Sequence, residues 1–243
     1  MTVTDDRESS GNKSYYDDFA GWYENERHHG YHEMLDRLEA GIVEPLARGR
    51  DVLEVGCGTG LILKRIRDAA RSLTGLDISR GMLAEARRRG FAVTEGSATH
   101  LPFADESFDL AYSFKVLAHV PDVRLALHEM ARVVRPGGYV VAEFYNRLSI
   151  RRLAKVLGGP GRISAARTEA EVFTRWDTPR EAREHIPAGL TVESWRGVRV
   201  FTPAAAMLGV PILAALLDRA EQRAADGPLA RFGGFLVAVC RKN

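Results

Sequence analysis

Between residues 49 and 145 the chain alternates short apolar runs with longer stretches of helical spacing. The runs 51–55, 73–77, 91–95, 108–113 and 139–144 are each short enough for a buried strand, and 61–70, 80–89 and 123–134 repeat their apolar positions at three- and four-residue steps. Ser79 stands where an N-cap is needed, and Pro136-Gly137-Gly138 ends the last of these helices. Strands that alternate with helices in this way predict an α/β fold, a doubly wound and mostly parallel sheet covered on both faces. Right-handed crossovers bring the loops that follow the strands to one edge of that sheet.

The flanks read differently. Residues 1–13 are polar and read as a flexible tail. A single domain is expected over 14–243: N-terminal helices in 14–48, the core in 49–145, an insertion in 146–188 and C-terminal elements in 189–243. Tyr15, Phe19, Trp22 and Tyr23 share one face of a helix, which either docks on the core or closes over a ligand. Residues 31–46 form a second helix with Met34, Leu35, Leu38, Ile42 and Val43 on its apolar side. Beyond Asn146 the pattern gives a helix over 150–157, a polar and weakly periodic stretch over 162–188, a strand over 190–201, an apolar-faced helix over 203–225 and a last strand over 232–241.

Composition narrows the function. The 243 residues carry a formal net charge of only +2, which speaks against a dedicated nucleic-acid binder. The two cysteines, Cys57 and Cys240, match no metal spacing and suggest a reducing compartment. His28 and His32 are four apart, but nothing completes a metal site around them, so no metal is expected. The start of the chain has no apolar signal core, and the apolar run 203–217, interrupted by Pro211, is too short for a span of about 20 residues. A cytoplasmic protein without stable membrane insertion is expected, with a homodimer contact or core packing as uses of that run.

The chemistry centres on Asp51-Val-Leu-Glu-Val-Gly-Cys-Gly-Thr-Gly60. Glycines at alternate positions let a backbone turn sharply and approach a ligand, and a helix N-terminus follows. Asp77, at the end of the next strand, can accept both hydroxyls of a ribose. NAD and S-adenosylmethionine both use such an arrangement. The third glycine comes one residue early for a dinucleotide fingerprint, and Glu54 suits a cationic ligand better than a pyrophosphate.

Glu54-Val-Gly-Cys-Gly-Thr-Gly60 resembles the S-adenosylmethionine loop of class I methyltransferases, in the branch that includes the ubiquinone and menaquinone methyltransferases. Gly75-Leu-Asp-Ile-Ser79 with Met82-Leu83 is similar to the family's ribose-acid strand and helix. Leu101-Pro-Phe-Ala-Asp-Glu-Ser-Phe-Asp109 and Glu129-Met-Ala-Arg-Val-Val-Arg-Pro-Gly-Gly138 are similar to its approaches to strands four and five. The resemblance implies seven strands with the last antiparallel, a helical N-terminal lid, and a cap formed by the insertion after strand five. It implies S-adenosylmethionine as methyl donor, S-adenosylhomocysteine as product, and a small-molecule acceptor methylated at O, N or C.

It also implies roles for residues. Gly56, Cys57, Gly58 and Gly60 form the loop. Glu54 serves the methionine ammonium, Asp77 the ribose, and Ile78 with Met82 the adenine side. Ser97 and Ala98 replace part of the family's Gly-Asp-Ala, and Phe114 lies beside the methionine portion. Tyr15 and Tyr23 close over the cofactor. Apart from the resemblance, position after the fourth strand makes His119 the expected general base, or else a residue that caps or packs the next helix; after the fifth strand Tyr145 is a second base or orienter and, with Phe19, Asn146 and Arg147, flanks the substrate, unless 145–147 are simply a polar loop. Arg147, Arg151, Arg152, Lys155, Arg162 and Arg167 form a run without acids that suits a phosphate or carboxylate on the acceptor, or a solvated helix face.

Overall fold

A computed structural model describes residues 30–158, 173–202 and 211–243. Seven strands form one sheet in the order β3-β2-β1-β4-β5-β7-β6. They are β1 (Asp51–Val55), β2 (Ser72–Asp77), β3 (Ala92–Glu95), β4 (Phe108–Ser113), β5 (Val134–Tyr145), β6 (Leu190–Val198) and β7 (Phe235–Lys242). The first five run parallel, and β7 pairs antiparallel with both β5 and β6. This is the doubly wound seven-stranded α/β sheet with the antiparallel last strand.

The period of two along the strands sorts the side chains into two cores. Leu53, Ala111, Val140 and Ala142 face α4 (Val123–Val133), whose Ala126, Leu127 and Met130 are fully buried. Val52, Leu110, Tyr112 and Val141 face α1 (Tyr31–Ala47) through Leu35, Ile42 and Val43. Between these come α2 (Leu61–Arg65) and α3 (Arg80–Arg88), where Ser79 Oγ accepts from Met82 N as the N-cap. The strand β5 is followed by α5 (Ile150–Gly158), α6 (Pro179–His185) and α7 (Pro211–Ala224). No helix among the described residues is long and apolar enough to cross a membrane.

Several boundaries differ from the pattern-based ones. The helix expected over 61–70 stops at Arg65, because the chain must turn back into β2: Gly49 N donates to Ala69 O and Arg71 N to Arg50 O. Strand β5 begins at Val134 rather than 139, and the Pro-Gly-Gly stretch is absorbed as an irregularity between the pairs Phe108–Val134 and Leu110–Tyr139. Helix α6 lies where only weak periodicity was visible. Thr178-Pro-Arg-Glu181 makes a full capping box with proline in the first turn. Strand β6 ends at Val198 rather than 201, since Arg199 takes φ +64 and the next two N–H groups go to the Glu221 carboxylate. The last strand starts at Phe235, after a 3₁₀ turn over Pro228–Phe232. The expected helical stretches over 15–23 and 203–210, and most of 158–172, lie outside the described residues.

Candidate active site

The parallel strands deliver the glycine loop, Asp77, Phe114 and Tyr145 to one edge of the sheet, as the crossover rule requires. A cavity of about 650 Å³ opens there. Its walls include Glu54, Gly56, Cys57, Gly58, Asp77, Ile78, Met82, Ser97, Ala98, Phe114 and His119, eleven of the residues singled out from sequence.

The loop is held by its own backbone. Gly56 N and Cys57 N both donate to Leu76 O, and Gly60 N donates to Cys57 O. Gly56 has φ +79, and a Cβ there would lie 2.2 Å from Val116 Cγ2. Only glycine combines that torsion with that approach. Gly60 does not line the cavity; it is the N-cap of α2 at φ +80. Asp77 ties the loop to the next turn, since Oδ2 accepts from Gly58 N at 2.8 Å and Oδ1 from Ser79 N at 2.9 Å.

The charges beneath the cavity come from four elements. Glu54 is 3% exposed, and among the described residues its Oε2 has no hydrogen-bond partner. Burial pushes its carboxyl well above the usual carboxylate range, and Glu39 and Asp36 push the same way. A positive group in the cavity would reverse that effect. Lys115 follows β4 at φ +61; its Nζ lies 2.8 Å from Glu39 Oε2 and 3.0 Å from Asp36 Oδ1, and its N–H donates to Glu143 Oε1. Cys57 is buried with its thiol pKa raised by desolvation, so it packs rather than reacts. The Ser97 hydroxyl lies 2.8 Å from that of Thr99, turned onto its own loop.

His119 sits at the far wall. Its Nδ1 is 2.8 Å from Phe173 O, a carbonyl that can only accept, so in the neutral ring Nδ1 carries the proton and Nε2 is the basic nitrogen. The Tyr145 hydroxyl is 3.4 Å from that Nε2, and the two rings meet edge-on at 5.4 Å. Burial raises the Tyr145 phenol to about 12. That keeps it protonated and makes it an orienting group rather than a base. The N-cap of α4 is Asp122, not His119, and His119 lines the cavity.

Other sequence expectations fall elsewhere. Asn146 is fully buried and donates to Arg231 O and Gly233 O. Arg147 is half exposed and donates to Trp176 O. Neither lines the cavity, so both hold the loop after β5. Tyr145 does not line the cavity and meets the lining residue His119. Tyr15, Phe19 and Tyr23 lie outside the described residues. Among the described residues no group of three acids, histidines or cysteines is placed to hold a metal. Sequence reading missed Glu39 and Lys115, both cavity-lining. Glu39 was detectable as a charge on the apolar face of α1, in step with Leu35 and Ile42.

Comparison with known proteins agrees with this geometry. Residues 53–142 match the family described as "Methyltransferase domain". A demethylmenaquinone methyltransferase of Mycobacterium sp. (strain JLS) is 35% identical over 164 residues, which cover 62% of this chain and 71% of that protein. A probable S-adenosylmethionine-dependent methyltransferase of Mycolicibacterium smegmatis is 38% identical over 103 residues, 42% of this chain and 40% of the other. This match, like several others, spans about two fifths of the relative's length. In three dimensions the chain resembles the crystal structure of an S-adenosylmethionine-dependent methyltransferase, a possible histamine N-methyltransferase, from Thermotoga maritima. The TM-score is 0.70 at 22% identity, over 95% of this chain and 99% of that one.

Proposed function

Because the chain belongs to the class I S-adenosylmethionine-dependent methyltransferases, we propose that it transfers a methyl group to an oxygen, nitrogen or carbon atom of a small-molecule acceptor. One observation carries the reading. A single cavity joins the ribose-type acid Asp77 to the buried Glu54, whose Oε2 is left without a partner among the described residues. A nucleoside bearing an ammonium group fits that pair, and a pyrophosphate does not, because it would bring negative charge against a buried acid.

When bound, S-adenosylmethionine supplies a methyl group on a positively charged sulfur, already activated for displacement. The chain then has to bind, align and exclude water. Asp77 takes the ribose hydroxyls while keeping the loop closed through Gly58. Glu54 offsets the ammonium. Ile78 and Met82 give the adenine an apolar wall, and Phe114 borders the methionine end. His119 Nε2 accepts the acceptor's proton, and the contact of Nδ1 with Phe173 O keeps the ring in the tautomer that can do so. Tyr145 steers that imidazole through its edge-on contact. A cytoplasmic location suits the chemistry.

Titration calorimetry tests the cofactor. S-adenosylhomocysteine binds tightly and NADH does not; the reverse result removes the reading. In His119→Ala, turnover falls about a hundredfold with cofactor affinity unchanged. A rate near that of wild type would leave alignment alone as the source of catalysis.

A further inference from the structure

The turn that presents His119 is too short to fix itself. It is a single 3₁₀ turn, Leu117–His119, closed by hydrogen bonds from His119 N to Val116 O and from Val120 N to Leu117 O. It follows Lys115, which sits at φ +61. Such a backbone persists only where its surroundings hold it. Leu117 and Ala118 are buried, so the carbonyls of the turn need donors from within the protein.

Arg175 supplies them from far along the chain. Its N donates to Ala118 O at 2.7 Å, its Nη1 to Val120 O at 2.9 Å and its Nη2 to Leu117 O at 2.9 Å. Its Nε points the other way and lies 3.0 and 3.2 Å from the two carboxylate oxygens of Asp177. Asp177 is buried and fastened to the end of β5: its N donates to Tyr145 O at 2.8 Å, and its O accepts from Arg147 N at 2.9 Å. The His185 ring at the end of α6 adds a contact of 3.2 Å to Asp177 Oδ1. Residues 173–177 therefore form a strap from the end of β5 to the turn after β4. The same strap carries the groups that meet the imidazole, Phe173 O at 2.8 Å and Thr174 Oγ1 at 3.3 Å from Nδ1.

A guanidinium holds its donors in fixed directions, which a lysine does not. Arg175 uses them to lock the carbonyls on both sides of His119 into one frame with the carbonyl that accepts from Nδ1. We propose that Arg175 is a positioning residue: it sets the register of the strap on the turn, and through that register the tautomer of His119. Once it is removed, nothing fixes Phe173 O against Nδ1, and the contact that keeps Nε2 the basic nitrogen weakens. Tyr145 belongs to the same frame, tied to Asp177 through its carbonyl and meeting the imidazole edge-on. That the imidazole serves methyl transfer rests on the methyltransferase reading; the coupling of Arg175 to its tautomer does not.

The test is nitrogen NMR of the histidine rings in the full chain, saturated with S-adenosylhomocysteine, at a pH where His119 is neutral; His119→Asn assigns its signals. In wild type the Nδ1-protonated ring predominates. Arg175→Gln lowers the ratio of Nδ1-protonated to Nε2-protonated ring by about fivefold, roughly what one hydrogen bond is worth. Its affinity for S-adenosylhomocysteine is unchanged, because Arg175 does not line the cavity. Arg175→Lys keeps the charge without the fork of donors and gives an intermediate ratio. Asp177→Asn loosens the other end of the strap, lowers the ratio as well, and decides the matter if neither arginine variant folds. A loss of stability alone leaves the tautomer as it was. The proposal is overturned if the wild-type ring is protonated at Nε2, if the folded variants keep the wild-type ratio, or if the ratio falls only together with cofactor affinity. Should S-adenosylhomocysteine fail to bind, the same spectra of the ligand-free chain still read the tautomer. A His119→Ala enzyme with wild-type turnover removes the base and leaves the coupling intact, so the two failures stay distinct.

Discussion

Asp77→Ala lowers the affinity for S-adenosylhomocysteine by about a hundredfold or more. Two hydrogen bonds from ribose hydroxyls to a carboxylate are worth about 1.5–3 kcal/mol each, and each 1.4 kcal/mol is about tenfold. The same carboxylate also accepts from Gly58 N and Ser79 N, so its removal frees the glycine loop from the end of β2. Part of the loss is therefore a cost of re-ordering the loop. Asp77→Asn separates the two effects, because it keeps one acceptor oxygen and removes the charge; its loss falls between those of wild type and Asp77→Ala. Calorimetric titration of the three proteins reads this directly. Equal affinities would place the ribose elsewhere.

Gly56→Ala is expected to destabilise the protein by about 2–6 kcal/mol. A non-glycine residue at φ +79 carries about 1–3 kcal/mol of backbone strain, and crowding a packed site costs about 1–3 kcal/mol more. The crowding is specific, because the new Cβ would meet Val116 Cγ2 at 2.2 Å and Val116 Cβ at 2.9 Å. Val116→Ala in the same chain removes the nearer clash but neither the Cβ contact nor the torsion, so it restores only part of the loss. Denaturant unfolding of the single and double variants measures both. A Gly56→Ala protein as stable as wild type would mean that the loop after β4 does not press on the glycine loop.

These two residues were legible from the sequence because their signals are local. The spacing of Gly56, Gly58 and Gly60 after an apolar run, and an acid closing the next run, need no knowledge of the rest of the chain. Ser79 as N-cap and the short buried run of β4 were legible for the same reason. His119 was found through its position after β4. Its tautomer was not, since that depends on Phe173 O, far along the chain. Asn146 and Arg147 were nominated by following β5, but their side chains serve the backbone at Arg231, Gly233 and Trp176. Position after a strand brings a residue to the right edge of the sheet without fixing where its side chain is used. The Thr178–Glu181 capping box was readable and was hidden only by the weak periodicity of the short helix it starts.

By itself the sequence determined the alternating α/β order, the glycine loop, the acid that follows it and the family resemblance, all carried by short-range pattern. Only the tertiary structure decided which buried charges meet. Glu39 and Asp36 on α1 find Lys115 after β4. It also decided where β6 ends, because Glu221 on α7 captures the N–H groups beyond Arg199. The physical reason is common to both. A charge or N–H group taken out of water needs a partner, and that partner is found by proximity in the fold, whatever the separation along the chain.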